Sequence, residues 1–318
     1  MELDNRTSFA GRLLRFQSAE GAPVRGAVIV KATFALESGR WVPAPEQVPI
    51  VDASLSTAFG TFHGDNFMRK DGVDLCVMGT VRPSRPRRAV EVSVAVGRRE
   101  SRLVVYGDRR WVRAGGFGLL SSDPQPFQEL PLCYERAYGG KTVHDYEEVV
   151  FPDNPLGRGY YLAEAEAEGQ PLANIERAAE PPVRAWNDRP VVAGWGPYPC
   201  FWGLRAREAV TPDAEGLPRV SPRLNNNAHP DLILPALPDG AEVRIAGLCA
   251  AEVVYCVPRL SARFEVTAGG SVIAEPELEI DGVFVWADLD NLTVTARGLF
   301  SYPYNRGELR GARLWRGA

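Results

Sequence analysis

Residues 89–107 read AVEVSVAVGRRESRLVVYG and contain the clearest local signal of structure in this chain of 318 residues. Val90, Val92, Val94 and Val96 occupy alternate positions, which places them on one face of an extended strand. After Gly-Arg-Arg-Glu the chain resumes with a second apolar segment, SRLVVYG. Two such segments separated by a short, Gly-containing connection are typical of a β-hairpin. The stretch therefore predicts two antiparallel strands.

Short apolar segments of similar character lie on both sides of this hairpin. Upstream they are GRLLRF, GAVIVKATFAL and DLCVMGTV, and downstream they are AEVRIAGL, AEVVYCV and SARFEVTAG, the last of which should end at a Gly269-Gly270 turn. The chain also contains 31 glycines and 26 prolines, so turns can follow one another closely. Short strands at close spacing favour an all-β sandwich or barrel over βαβ units.

A second hairpin is predicted near the C-terminus. Residues 278–280 (LEI) and 283–289 (VFVWADL) flank Asp281 and Gly282, and Asp-Gly is a favoured two-residue type I′ turn. In residues 291–300 (NLTVTARGLF), the apolar residues Leu292, Val294 and Ala296 again occupy alternate positions. We therefore expect a three-stranded meander here.

These segments divide the chain into three parts. An N-terminal strand-rich block covers residues 1–120, a loop-rich motif region covers 121–238, and a C-terminal strand-rich block covers 239–318; one continuous domain is the alternative. Little helix is expected. Residues 161–170 (YLAEAEAEGQ) contain good helix formers but little apolar face, which indicates either a short exposed helix or a solvated loop.

Composition excludes several function classes. Lys and Arg total 36 against 40 Asp and Glu, a net charge of −4, so the chain lacks the basic field that nucleic-acid binding requires. The N-terminus has no basic region followed by an apolar stretch, which predicts a cytoplasmic protein without a membrane segment. The five cysteines show no Cys-x-x-Cys pair, so we expect reduced, mostly buried thiols and no metal or other cofactor.

The middle of the chain follows neither helical nor strand periodicity. PLCYERAYGG (131–140), NPLGRGYY (154–161) and PLANIE (171–176) combine Gly, Pro, polar and aromatic residues. Such segments usually encode ordered loops, because each Gly permits unusual backbone angles and each Pro favours a turn. Ordered loops commonly carry surface function.

The order of these motifs resembles the domain of unknown function 2169 family of bacteria. GDRRW (107–111) precedes them and GWGPYPCFWGLR (194–205) follows, and the resemblance extends from VIVKATFAL (28–36) and DLCVMGTVRP (74–83) to NAHPDL (227–232). It implies a non-enzymatic adaptor or chaperone of type VI secretion. The implied partners are a secreted effector or its proline-alanine-alanine-arginine repeat tip protein, and also the valine-glycine repeat spike protein.

Arginine and aromatic residues on rigid loops are enriched at interface hot spots, which points to the motif residues as a partner-binding surface. Trp195, which lies between two glycines, is predicted to be solvent-accessible, whereas Trp202 is predicted to pack in the core. The alternative is that the same residues are structural pins that attach the loops to the β framework. The candidate partner-binding residues are Tyr134, Glu135, Arg136, Tyr138, Asn154, Arg158, Tyr160, Asn174, Glu176 and Trp195.

An enzyme is the rival interpretation. Glu135, Asp153 and Glu176 lie in the loop motifs and could form a glycosidase-like carboxylate pair, which would make the protein a carbohydrate-active or other hydrolase. The chain has three histidines, His63, His144 and His229, and none occurs at a spacing that fixes two metal ligands on one element. We therefore predict no catalytic and no metal-binding residues.

Overall fold

The computed structural model describes residues 3–19, 21–238, 240–268, 270–303 and 309–316, so Gly269 of the predicted Gly269-Gly270 turn lies outside the described residues. The predicted mainly β class is confirmed. The strands, in chain order, are β1 (Leu3–Asn5), β2 (Ala10–Phe16), β3 (Val24–Glu37), β4 (Arg40–Pro43), β5 (Ser54–Thr57), β6 (Gly60–His63), β7 (Val73–Met78), β8 (Thr80–Val81), β9 (Ala89–Val96), β10 (Arg99–Tyr106), β11 (Trp111–Arg113), β12 (Leu119–Ser121), β13 (Leu130–Pro131), β14 (Tyr138–Gly139), β15 (Lys141–His144), β16 (Glu147–Val150), β17 (Arg158–Gly159), β18 (Ile175–Arg177), β19 (Val210–Pro212), β20 (Pro218–Val220), β21 (Ile233–Leu234), β22 (Glu242–Ala246), β23 (Val253–Cys256), β24 (Ala262–Ala268), β25 (Ser271–Ala274), β26 (Glu279–Trp286), β27 (Asn291–Tyr302) and β28 (Leu309–Arg316).

Helices in the described part of the chain are short. Residues 161–170 contain a helix of four residues, so the short helix predicted for this segment is confirmed, but its predicted exposure is not, because Ala167 is 0% exposed and both glutamates are half-buried. No described helix has the length and apolar character needed to span a membrane. The two α-helices among the described residues are α1 (Glu164–Ala167) and α2 (Gly203–Ala209), and the 3-10 helices there are Gly115–Phe117, Tyr134–Arg136, Pro222–Asn225, Pro230–Leu232 and Ala287–Leu289.

The largest sheet has seven strands and combines both ends of the chain. Its order is β2-β3-β27-β26-β7-β21, and β4 also pairs with β3. Strand β3 pairs antiparallel with β27 over most of its length, and β26 runs parallel to β7. Two strands from the C-terminal block, β27 and β26, thus lie between β3 and β7 of the N-terminal block in one sheet.

Two smaller sheets complete the framework. The first has five strands in the order β18-β10-β9-β22-β23, and the second has four in the order β1-β28-β24-β25. The predicted hairpin of residues 89–107 is confirmed as the antiparallel pair β9 and β10. Val92 and Val94 are each 1% exposed, so the predicted apolar face is the buried one. One continuous hydrophobic cluster contains residues of all three sheets, among them Val30, Val94 and Leu314.

The other face of β3 and β27 is also buried and carries several polar side chains, with Phe284 of the hydrophobic cluster beside them on β26. Thr33 and Thr293 approach each other across β3 and β27, with 3.1 Å between their hydroxyl oxygens. Lys31 lies 2.7 Å from a carboxylate oxygen of Asp65. Because these side chains pair with one another, the polar face can be covered by chain without leaving charges unpaired.

The predicted turn at Asp281-Gly282 is wrong. Both residues lie inside β26, where the register with β27 shifts between Ile280 and Gly282. Asp281 accepts hydrogen bonds from the Thr295 hydroxyl at 2.6 Å and from Arg297 Nε at 2.9 Å. The Asp-Gly pair therefore forms a bulge stabilised by the neighbouring strand, and the predicted three-stranded meander is a two-stranded hairpin of β26 and β27.

The prediction for the cysteines is confirmed only in part. All five are free thiols, as expected. Cys76 and Cys133 are buried and Cys200 is half-buried, but Cys249 and Cys256 are exposed. The apolar sequence around the last two does not decide their burial, because they lie in and just before β23, a strand at the edge of its sheet.

Candidate functional site

The motif PLCYERAYGG forms the short helix Tyr134–Arg136 followed by β14. Tyr134 packs edge-on against Tyr198 and Trp202, with ring centroids 5.3 and 5.5 Å away. Its hydroxyl donates to the Gly196 carbonyl oxygen at 3.1 Å. The partners belong to GWGPYPCFWGLR, so these two motifs meet in one aromatic cluster inside the protein.

Asn154, from the motif NPLGRGYY, closes the same loop. Its amide nitrogen donates to the carbonyl oxygens of Tyr134 and Tyr138, at 2.8 and 3.0 Å. Gly139 and Gly140 have φ values of 144° and 98°, and a Cβ on Gly139 would collide with Asn154. The two glycines are therefore required by backbone geometry and by the close approach of Asn154.

The motif PLANIE is held by a buried ion pair. Glu176 accepts from Arg109 Nη2 at 2.5 Å and from the Val183 amide at 3.2 Å. Asn174 donates from its amide nitrogen to the Tyr106 carbonyl oxygen and to an Asp108 carboxylate oxygen, both at 3.0 Å. These contacts attach the motif to the end of β10.

The structure corrects the prediction for six candidate residues. Their side chains are inside the protein and are therefore not available to a partner that binds at the surface. They contact other parts of the chain instead, as the structural-pin alternative predicts. The six residues, each between 0% and 6% exposed, are Tyr134, Tyr138, Asn154, Asn174, Glu176 and Trp195.

The prediction that Trp195 is solvent-accessible is wrong for an identifiable reason. The residue is 0% exposed, and its indole nitrogen donates to the Ser101 hydroxyl at 3.0 Å. A Cβ on Gly194 would lie 2.5 Å from the Tyr134 ring, and one on Gly196 would lie 2.5 Å from the Phe59 carbonyl oxygen. The flanking glycines thus permit close packing rather than exposure. Trp202 is 4% exposed, which confirms its predicted place in the core.

Sequence reasoning missed the most deeply buried guanidinium in the motifs. Arg205 is 0% exposed and donates to the carbonyl oxygens of Ala228, Asn226 and Arg223. The arginine ends GWGPYPCFWGLR, and Ala228 belongs to NAHPDL. The sequence did contain a sign of this role, because Arg205 is the one charged residue in an otherwise largely apolar motif.

Asp74 holds the same segment from the opposite side. Its carboxylate accepts from the Asn226 amide nitrogen at 2.9 Å and from the backbone amides of Asn227 and Ala228 at 2.8 and 3.1 Å. Lys70 Nζ lies 2.8 Å from the same carboxylate. Asp74 is the first residue of DLCVMGTVRP, so three separate motifs converge on this segment.

Each of the three histidines is hydrogen-bonded within the protein. His229 is 2% exposed, donates from Nε2 to the Val192 carbonyl oxygen at 3.1 Å and accepts the Asp231 amide on Nδ1 at 3.3 Å. Burial lowers the pKa of His229 to about 4. His63 accepts the Cys200 amide at 2.7 Å, and His144 lies 2.7 Å from Glu166.

Two of the three loop carboxylates are committed to ion pairs. Asp153 accepts two hydrogen bonds of 2.9 Å from Arg207, and Glu176 is paired with Arg109. Glu135 is exposed. Within the described ranges, no group of three or more His, Cys, Asp or Glu residues has the arrangement of a metal site.

Four candidate residues lie at least partly at the surface: Glu135, Arg136, Arg158 and Tyr160. We call these four residues together with Asp108 the loop surface. Arg136 Nη1 and Arg158 Nη1 lie 3.6 and 4.0 Å from the same Asp108 carboxylate oxygen, and Arg158 Nε donates to the Glu135 carbonyl oxygen at 2.9 Å. Burial and the adjacent Arg136 both lower the pKa of Arg158. Two guanidiniums therefore share one carboxylate at the edge of the motif loops.

Tyr160 continues this surface. Its ring packs against Phe151, with centroids 5.2 Å apart, and the Arg189 guanidinium lies 5.2 Å from its centroid. The side chains of Tyr160, Arg136 and Arg158 therefore already contact neighbouring side chains in the protein without a partner.

Comparisons with known proteins agree with the motif order. No curated protein and no solved structure matches the chain. The model of one family, described as "Uncharacterized protein conserved in bacteria (DUF2169)", matches residues 21–297, a range that includes every motif above. The chain therefore belongs to the DUF2169 family.

Proposed function

We propose that this protein is a non-enzymatic, cytoplasmic adaptor that binds a type VI secretion effector or its proline-alanine-alanine-arginine repeat tip domain. In this proposal it helps to load that cargo onto the valine-glycine repeat spike. The secretion assignment rests on the motif resemblance. The binding role rests on one observation. The loop surface carries Arg136, Arg158 and Tyr160 on loops whose backbone is held in place by buried side chains of the motifs.

The pinning favours recognition of a protein partner. Asn154 and the Arg109–Glu176 pair hold the loops that carry these side chains. A side chain that is already ordered loses less conformational entropy when a partner binds, so more of the contact energy appears as affinity. Arginine and tyrosine are also the residue types that most often dominate interface energetics.

The rival hydrolase finds less support. A glycosidase pair needs two carboxyl groups free to act as acid and as base or nucleophile. Asp153 and Glu176 are each occupied by an arginine, which leaves Glu135 as the available member of the three.

The adaptor proposal can be tested by co-expression with effector, tip and spike proteins of a type VI apparatus from the same bacterium. We expect a stable complex with one of them. Replacing both Arg136 and Arg158 by Glu should weaken it by about tenfold to a hundredfold, the usual range for hot-spot residues. The Arg98→Glu variant is a matched control, because Arg98 is exposed and outside the loop surface.

Two results would contradict the proposal. One is the absence of a complex with any of these proteins, together with neighbouring genes for sugar uptake, which would favour the hydrolase. The other is unchanged affinity in a folded Arg136→Glu, Arg158→Glu variant, which would remove the loop surface from the interface. Tyr138→Ala is the comparison variant for a structural role. Tyr138 is 3% exposed, so loss of its side chain should lower the melting temperature, whereas the Arg136→Glu, Arg158→Glu variant should keep the melting temperature of the wild type.

A further inference from the structure

A cavity of about 610 Å³ opens at one end of the seven-stranded sheet. Its lining contains no residue of the loop surface. Two chain segments form its sides, residues 235–238 and residues 278–281. The volume lies in the range of pockets that bind small ligands or short peptide segments.

The cavity is a gap in the sheet. Strand β7 begins at Val73, but its parallel partner β26 begins earlier, since Gly282 lies beside Asp74. Asp281 is therefore level with Val73, and Glu279 and Ile280 of β26 extend past the start of β7. On the other side, Leu234 lies opposite Val73, and the chain continues from there into residues 235–238. The empty space is where β7 would lie if it started a few residues earlier.

Gly72 produces this gap. Its φ of 73° turns the chain away from the strand direction, and a Cβ at this position would collide with the Leu234 carbonyl oxygen. The segment before β7 consequently leaves the sheet instead of continuing beside β26.

The exposed side of β26 offers backbone hydrogen bonds. In an antiparallel pair, alternate residues direct their N–H and C=O groups toward the neighbouring strand and the others direct them away. Glu279 and Ile280 pair with Arg297 and Ala296 of β27, so one of these two successive residues directs its N–H and C=O groups away from β27, on the side of the cavity, where no described backbone group pairs with them. An unpaired strand edge is a ready template for another extended chain. The opposite wall is poor in donors, because Pro235 and Pro238 have no N–H.

The charges around the cavity favour a negative ligand. Deep in it, Lys70 lies 2.8 Å from Asp74 and Arg297 Nε lies 2.9 Å from Asp281, so these buried charges neutralise one another. Near the opening, positively charged side chains outnumber negatively charged ones among the described residues.

Arg69 and Arg259 also line the cavity, and both are exposed. Neither forms an ion pair within the part of the chain that the structure describes. Glu279 is the single acidic residue among the exposed lining residues described, so positive charge is in excess. Val73, Val257 and Leu299 supply apolar surface between the charges.

We propose that this cleft binds an extended peptide segment of a partner protein, which adds as a strand beside Glu279 and Ile280 and directs an Asp or Glu side chain toward Arg69 and Arg259. Strand addition supplies affinity through the backbone, and the two arginines select for the acidic residue. This peptide site does not depend on the type VI assignment.

The test begins with a phage library of random linear peptides, selected on the full-length protein. We expect enriched sequences in which an acidic residue adjoins β-branched residues. A labelled synthetic peptide of the enriched sequence then serves as the probe, and its dissociation constant is measured by fluorescence anisotropy. Replacing its acidic residue by the amide, or methylating alternate backbone nitrogens, should weaken binding by about tenfold or more.

Variants of the protein locate the site. Ala236 is exposed in the cavity wall, so Ala236→Trp should fill the cleft and abolish peptide binding. The double variant Arg69→Ser, Arg259→Ser should weaken peptide binding by about tenfold. Ala179→Trp and Arg98→Ser are matched controls at exposed positions outside the cavity and should bind like the wild type. Circular dichroism and melting curves establish that each variant is folded.

Several outcomes would overturn the proposal. Failure to enrich any peptide is one. Equal binding to folded Ala236→Trp protein would place the peptide elsewhere, and full binding of the N-methylated peptide would rule out strand addition.

Discussion

At the scale of single residues, the polar motif side chains that lie inside the protein replace the backbone partners that irregular loops lack. Asn154 satisfies two carbonyl oxygens, Arg205 satisfies three, and Asp74 accepts two backbone amides. Buried N–H and C=O groups must be paired, and a loop without a strand neighbour can be buried only if side chains do this. Polar, Gly-rich sequence therefore does not by itself indicate a surface loop.

His229 should make the stability of the protein depend on pH. Because burial lowers its pKa to about 4 from an ordinary 6.5, the unfolded chain binds the proton over a range in which the folded protein does not. The free energy of unfolding should therefore fall as the pH drops below about 6.5, by roughly 2 kcal/mol at about pH 5. Urea unfolding at several pH values measures this.

The His229→Gln variant is the control for this prediction. It should be less stable at neutral pH but should show a shallower decline between neutral pH and about pH 5. His63, whose pKa is also lowered by burial, would account for a remaining slope in the same direction. An identical slope in wild type and variant would contradict the assignment to His229.

At the scale of elements, the hairpin of β15 and β16 contains a strained turn. His144 pairs with Glu147, which leaves Asp145 and Tyr146 as a two-residue loop with φ values of 48° and 67°. Type I′ turns need positive φ at both positions and favour Asn-Gly. A tyrosine in this region is disfavoured by about 1–2 kcal/mol because its Cβ approaches the next carbonyl oxygen.

Tyr146→Gly should raise the free energy of unfolding by about 0.5–1 kcal/mol. Glycine removes the backbone strain, part of which is offset by the greater freedom of glycine in the unfolded chain. No burial is lost, because Tyr146 is fully exposed. Tyr146→Ala removes the same side chain but keeps a Cβ, so it should give no gain; equal stabilisation by both variants would show that strain is not the cause.

At the scale of the whole molecule, the strands that hold the sheet together come from opposite ends of the chain. Strand β3 is paired along residues 24–35 with residues 302–291 of β27, and β7 lies between β26 and β21. Burial of the N-terminal strands therefore depends on residues more than two hundred positions away in the sequence.

A fragment of residues 1–238 should not fold, because it lacks β26 and β27 and would expose residues of β3 and β7 that are buried in the full chain. We expect it to show no cooperative thermal transition and little dispersion in its proton NMR spectrum. Adding a fragment of residues 239–318 should restore both. A cooperative transition in the first fragment by itself would mean that the N-terminal strands form an independent unit.

The sequence by itself determined the β class, the β9–β10 hairpin and the family. These depend on patterns that are local, such as the alternation of Val92 and Val94, or on the order of motifs along the chain. Strand alternation is readable from sequence because successive side chains point to opposite faces whatever the strand later contacts.

Only the tertiary structure decided which motif residues are available to a partner and how Asp281-Gly282 is used. The glycines beside Trp195 fit either exposure or close packing, and the choice depends on Tyr134 and Phe59, which are distant in sequence. An Asp-Gly pair fits a turn or a bulge, and Arg297 and Thr295 on the adjacent strand select the bulge. The gap beside β26 likewise could not be recognised from the sequence, because the turn at Gly72 leaves a gap only where β26 and β21 lie on either side of β7 in the folded sheet.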